Sequence, residues 1–288
     1  MGFLRDFIAD WLREILVNGI LANLGGLFDT VNDQIVDITV QVGTPPNAWH
    51  PGVFSLIQNL SETVVLPIAG VILTFIATYE LIQLILEKNN LQEVDTWIFF
   101  KWVFKTFVAV IILSNTFTAI IAIFEVAQSV ANSAGGLIGD SAAITPEILD
   151  AFRYQLMEMD LGPLIGLWLQ SFIVQITSMA LGIIVFVIVY GRMVEIFVLT
   201  SLAPIPFATL SSREFGSMGQ NYVKALCALA FQGFLILVCI AIYAVMVQGI
   251  VTSDDPIGAI WLTLGYTVLL CFTLFKTGSV AKSIFGTH

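Results

Sequence analysis

Apolar residues recur along the chain in two patterns. In residues 3–21, Phe3, Leu4, Phe7, Ile8, Trp11, Leu12, Ile15 and Leu16 fall at helical spacing, with Arg5, Asp6, Asp10, Arg13 and Glu14 largely opposite. The pattern predicts an amphipathic helix that either lies in the membrane interface or packs on a partner; its acidic face argues against a pure anionic-lipid anchor. Gly25-Gly26 is expected to end it, and Leu27, Phe28, Val31, Ile35, Ile38 and Val42 predict a second amphipathic helix over 27–42. The prolines of "GTPPNAWHPG" (43–52) forbid a continuing helix and mark a linker.

From residue 62 onward the periodicity gives way to long apolar runs, predicting spans over 62–86, 97–130, 163–192, 221–250 and 256–275. Gly135-Gly136 is expected to open a polar segment reaching Gly162, with Thr145-Pro146-Glu147 starting a short helix over 146–159. The expected architecture is an all-α integral membrane protein of about five transmembrane helices. Its parts are amphipathic helices and linker in 1–60, a transmembrane hairpin in 61–130, a short helical extracellular loop in 131–162, and three spans in 163–288.

Composition agrees: 58% of residues are hydrophobic and 11% charged, against about 25% charged in soluble domains. The net charge is −10 and the eleven Lys and Arg residues are scattered singly, so the chain lacks the basic cluster of a nucleic-acid groove. Contact with DNA therefore draws no support from charge. Cys227, Cys239 and Cys271 all lie in apolar runs without C-x-x-C spacing and read as small core residues. The N-terminus, with acids interspersed among its hydrophobes, does not resemble a cleaved signal peptide.

Basic residues also set an expected orientation. Lys88, Lys101 and Lys105 flank the first hairpin, Arg192, Arg213 and Lys224 the join of spans three and four, and Lys276 and Lys282 follow span five. By the positive-inside rule these regions face the cytoplasm, with the N-terminus outside and the C-terminus inside.

A charge at membrane depth costs about 2.5 kcal/mol or more unless it is paired, hydrated or interfacial. In an antiparallel hairpin Glu80 matches Lys105 in depth and Glu87 matches Lys101, predicting two ion-paired rungs. The simpler role for them is to staple the hairpin, the sharper to line an ion path. In "GRMVEIFVLTSLAPIPFATL" (191–210), Arg192 and Glu195 share a helical face and can neutralise each other or reach Lys224. Pro204 and Pro206 should end the helix near Leu202 and form a cytoplasmic elbow over 196–220, either re-entrant or interfacial, that contacts a neighbouring subunit or an ATPase. Polar residues such as Ser114, Asn115, Thr116 and Thr118 read as glue between helices.

His50 and His288 are the only histidines, and no P-loop, G-x-S-x-G or H-E-x-x-H motif occurs, so catalysis is not expected. No cofactor and no metal is expected, and bound lipids are the non-protein ligands anticipated.

The five-span plan, the paired charges, "IATYELIQLILEKNN…TWIFFKWVFKTFVAVI" (76–111) and "VIVYGRMVEIFVLTSLAPIPFATL" (187–210) together resemble the TrbL-like conjugal-transfer proteins. These are polytopic membrane subunits of type IV secretion systems; the branch most similar is that of Gram-positive mobile elements, and the resemblance extends over nearly the whole chain. It implies a membrane scaffold or channel component for DNA and protein transfer between cells. It also implies a homo-oligomeric ring working with other secretion subunits and ATPases, and a segment between spans two and three that faces outside. That loop is short here, about 30 residues, which departs from relatives with a long one. The contrasting reading is an independent transporter or ion channel, which should show matched broken helices in its two halves; the sequence displays one broken segment, which favours a scaffold or channel segment of the conjugation apparatus, and its bases gather near the cytoplasmic side, which favours an assembly platform or gate over a DNA-lined pore.

Overall fold

The computed structural model describes residues 2–86, 96–142, 146–251 and 255–287. These are almost entirely helical, and no strand occurs among them. In order they form α1 (Gly2–Gly43), α2 (Pro46–Trp49), α3 (Pro51–Leu60), a π-helical turn (Ser61–Val65), α4 (Leu66–Leu86), α5 (Thr96–Ser114), α6 (Thr116–Ala142), α7 (Pro146–Met157), α8 (Leu161–Leu202), α9 (Pro204–Thr209), α10 (Gly216–Val251) and α11 (Pro256–Ile284).

Among the described residues five helical stretches are long and apolar enough to cross a membrane: Pro51–Leu86, Thr116–Ile138, Leu161–Leu202, Gly216–Gly249 and Pro256–Ile284. The number matches expectation, while the boundaries of the first two differ for local reasons. Pro67 has no N–H to give the Thr63 carbonyl, and the ladder just before it widens to a π turn in which Leu66 N–H reaches Ser61 O. The rod is not interrupted and begins at Pro51. The stretch 97–130 breaks instead at Asn115, whose side-chain Nδ2 donates to Ile111 O at 2.8 Å while Thr116 Oγ1 donates to Leu113 O at 2.7 Å. Such short polar side chains compete with the backbone ladder and mark the boundary of α5 and α6.

Two glycine pairs read as stops prove to be interior. Gly25-Gly26 lies inside α1, a single 42-residue helix, because the flanking Leu24, Leu27 and Phe28 are all buried in one core and hold the helix through the weak point. Gly135-Gly136 lies inside α6, so the polar segment expected there is helical to Ala142. A Cβ at Gly135 would sit 2.5 Å from Thr39 Cγ2, so a bare Cα is what admits the close approach of α6 to α1.

The chain divides into two compact units. The first comprises Met1–Gly43, Val130–Tyr190 and Gly233–Thr277. In it α1 and α8 run parallel: Asn23 Nδ2 donates to Ser171 Oγ at 2.7 Å, Ser178 Oγ donates to Thr30 Oγ1 at 3.0 Å, and each pair is 148 residues apart. Buried positions step by three and four along both helices, through Val17, Ile20, Leu24, Leu27 and Val31 on α1 and Leu164, Leu167, Ser171, Val174, Ser178 and Leu181 on α8. This is the spacing of knobs-into-holes packing. From Leu16 onward the buried face of α1 therefore packs on the chain's own helix, while within the 3–21 stretch expected to meet lipid or a partner Leu4, Phe7, Ile8, Trp11, Leu12 and Ile15 are exposed. Helix α7 packs on α1 through Phe152 and Leu156, and α10 pairs with α11 through the 2.6 Å bond between Tyr243 and Thr267 hydroxyls.

The second unit comprises Thr44–Ser129, Gly191–Gln232 and Gly278–His288. Its core joins Ala69, Leu73, Ala109, Leu113 and Phe124 to Met193, Ile196, Phe207 and Leu226. Helix α9 packs against both α4 and α5, whose Ala69 and Ala109 are buried in the same core.

Candidate functional site

The second unit brings the charged hairpin and the proline elbow into one network. Helices α4 and α5 are held together where Trp102 Nε1 donates to Ala77 O at 3.0 Å. At the same level Lys105 Nζ lies 2.7 Å from Glu80 Oε2 and 2.9 Å from Oε1, the first of the two expected rungs. Glu87, needed for the second, lies outside the described residues, and Lys101 stands 5.8 Å over the ring of Trp97.

Glu80 does more than neutralise Lys105. Its Oε1 also accepts the backbone N–H of Arg213 at 2.8 Å, and the neighbouring Tyr79 hydroxyl donates to Glu214 Oε1 at 3.2 Å while accepting from Gln83 Nε2 at 2.8 Å. Tyr79 further packs its ring near that of Phe215, with centroids 6.3 Å apart. One carboxylate therefore ties α4, α5 and the turn after α9. Around it lies a cavity of about 490 Å³ bordered by Glu80, Lys101, Trp102, Lys105, Arg213 and Glu214. Tyr79, Trp102 and Glu214 were not singled out from sequence; aromatic residues beside charges at the end of an apolar run were the available signal.

The elbow itself is deeper than a surface turn. Helix α8 ends at Leu202; the N–H that residue 204 of an unbroken helix would give to Thr200 O is missing at Pro204, and Ala203 N takes that carbonyl at 3.3 Å. Pro204 becomes the first residue of α9, where a missing N–H costs nothing. Pro204, Pro206, Phe207, Ala208 and Thr209 are all buried. Pro204 lines one cavity with Ser61 and Leu66, whereas Arg213 bonds Glu80, which is 14 residues beyond Leu66 on the same helical rod. At 1.5 Å per residue those levels are about 21 Å apart. Protein thus covers the broken backbone, as lipid requires. What is left for a partner is the exposed turn Arg213–Phe215 with Met218.

Arg192 departs from expectation. It is 5% exposed and does not pair with Glu195 or Lys224; its Nε donates to Leu229 O at 2.9 Å and one terminal nitrogen to Ala230 O at 3.5 Å. The other terminal nitrogen, Nη1, has no hydrogen-bond partner among the described residues. The reason is rotational. Arg192 faces the buried side of α8, toward α10, whereas Glu195 lies on the exposed side and meets Lys282 of α11 at 3.3 Å. Lys224 is exposed on α10.

Three helix irregularities also meet in this unit: the π turn at Ser61–Val65, the break at Asn115 and the break before Pro204 all border one cavity of about 340 Å³. Sequence had suggested a single broken segment.

Long apolar helices, buried polar junctions and covered irregular backbone define a multi-pass helical membrane protein. Residues 31–204 match the family model described as TrbL/VirB6 plasmid conjugal transfer like protein. That is 174 of 288 residues, and the chain belongs to this family. The match is narrower than the nearly full-length resemblance, yet it takes in the hairpin string and the elbow motif as far as Pro204. No curated protein and no solved structure matches the chain. The protein is a membrane component of a conjugal-transfer, type IV secretion apparatus, and it acts with other components of that apparatus.

Proposed function

We propose that the protein is an assembly platform or gate of that apparatus, present as a homo-oligomeric ring and engaging ATPases or neighbouring subunits through the elbow turn. The observation that carries this reading is Glu80, which couples the hairpin to Arg213 and so transmits force or position between α4, α5 and the exposed turn. A DNA-lined pore would place Lys and Arg at several depths. Here Lys101, Lys105 and Arg213 gather around one cavity, and the buried Arg192 is turned to backbone carbonyls.

The test is a mating assay on strains carrying Glu80→Gln, Arg192→Met or Pro204→Ala, with the membrane level of each variant measured beside in vivo crosslinking of the transferring DNA. Transfer should fall while insertion persists, with little DNA captured from residues on the spans. Normal transfer by all three variants, or DNA captured strongly from several spans, would overturn the platform. A second reading, transport of a small ion, draws on the three irregularities around one cavity; flux through purified protein in vesicles would favour it.

A further inference from the structure

The cavity where the three irregularities meet has a chemical bias that neither the hairpin nor the elbow requires. Its polar border includes Gln58, Ser61, Glu62, Asn115 and Thr116, with Pro204 closing one side and no Lys or Arg on its described border. The hydrogens of these groups are largely spent inside the protein. Gln58 Nε2 donates to Glu62 Oε1 at 2.8 Å, Asn115 Nδ2 to Ile111 O at 2.8 Å, and Thr116 Oγ1 to Leu113 O at 2.7 Å. What each retains is oxygen lone pairs: the amide oxygens of Gln58 and Asn115, the Thr116 hydroxyl oxygen and the second oxygen of Glu62.

Ser61 supplies a separate observation. It is fully buried, it borders this cavity, and its hydroxyl oxygen has no hydrogen-bond partner among the described residues. A buried hydroxyl without a partner costs about 1–3 kcal/mol. Ser61 opens the π turn, in which its carbonyl takes the Leu66 N–H. π turns recur at functional sites.

We propose that this cavity binds a hydrated monovalent alkali cation, Na⁺ or K⁺. One carboxylate with several neutral hard oxygens matches a single positive charge, whereas all-protein Ca²⁺ sites draw on several carboxylates and Mg²⁺ leans on substrate phosphates as well. Binding would clamp the Ser61 turn, the Asn115 break and the start of α9 together, stabilising the elbow. The proposal stands apart from the transfer role, because its readout is ion-dependent stability of the isolated protein.

The experiment uses the full-length chain in nanodiscs, with thermal unfolding followed in NaCl and KCl against N-methyl-D-glucamine chloride at equal ionic strength. A saturable rise in midpoint with Na⁺ or K⁺ is expected, with apparent affinity weakened about tenfold or more in Glu62→Gln and also weakened in Ser61→Ala. Asp10→Asn, at an exposed carboxylate on α1, should leave it unchanged. An equal rise in the organic cation, a rise unaltered by both cavity variants, or a response to Mg²⁺ or Ca²⁺ alone would overturn the proposal. Should Glu62→Gln fail to fold, the Ser61→Ala titration decides alone.

Discussion

The two units solve the same problem, burying long apolar helices, in opposite ways. In the first, α1 and α8 run unbroken beside each other and meet through residues spaced by three and four, with hydroxyl and amide pairs such as Asn23–Ser171 between them. In the second, the helical ladder shifts or stops at Ser61–Val65, Asn115 and Ala203, and separate polar junctions built on Glu80, Lys105, Arg213 and Arg192 join its elements. Regular periodicity yields a rod whose packing is redundant, since many apolar contacts share the load. Broken helices concentrate consequence in a few residues, and those residues are where a moving or docking function can be placed.

That contrast can be broken most sharply at Gly219. A Cβ there would stand 2.6 Å from Pro206 O and 2.7 Å from Leu210 Cγ, and the carbonyl cannot move without shifting α9. Gly219→Ala should destabilise the second unit by about 3 kcal/mol, seen as a lowered unfolding midpoint in nanodiscs and loss of transfer. The parallel change in the first unit, Gly19→Ala, meets the edge of the Trp168 side chain at 2.5 Å. A side chain can swing where a carbonyl cannot, so a cost of about 1–2 kcal/mol is expected. Equal effects at the two glycines would remove the distinction between redundant and concentrated packing.

Glu80→Gln tests the charge junction itself. It leaves Lys105 without its counter-charge while keeping a side chain that can still accept from Arg213 N, so a loss of about 1–3 kcal/mol is expected. The paired variant Glu80→Gln/Lys105→Met should recover much of that stability but not transfer; recovery of both would reduce Glu80 to a staple. Asn23→Val, which removes one interhelical bond from the redundant seam, should cost about 0.6 kcal/mol. Smallest is Glu195→Gln. Its pair with Lys282 is nearly half exposed on both sides, so the change should stay below about 0.5 kcal/mol and vanish in high salt.

Much of the architecture was readable because apolar length and helical spacing are local properties. The five spans, the short helix from Pro146 and the end of α8 before Pro204 follow from run length and from what proline cannot donate. Glu80 and Lys105 were matched by counting residues from a hairpin loop, which works because both helices rise equally per residue. The same reasoning failed at Gly25-Gly26 and Gly135-Gly136, since intrinsic propensity is weaker than burial of Leu24, Leu27 and Phe28. It also failed for Arg192, where sharing a face with Glu195 in sequence said nothing about which neighbour that face would meet.

By itself the sequence determined that this chain is helical and crosses a membrane several times, because hydrocarbon tolerates no unpaired backbone and demands apolar length. Its strings around residues 76–111 and 187–204 also carried the conjugal-transfer family. Only the tertiary structure decided that α1 packs parallel to α8, that the elbow descends beside α4, and that Glu80 joins it to the hairpin. Those outcomes depend on which faces of distant helices can approach closely, and close approach is set by the sum of many contacts that no local pattern records.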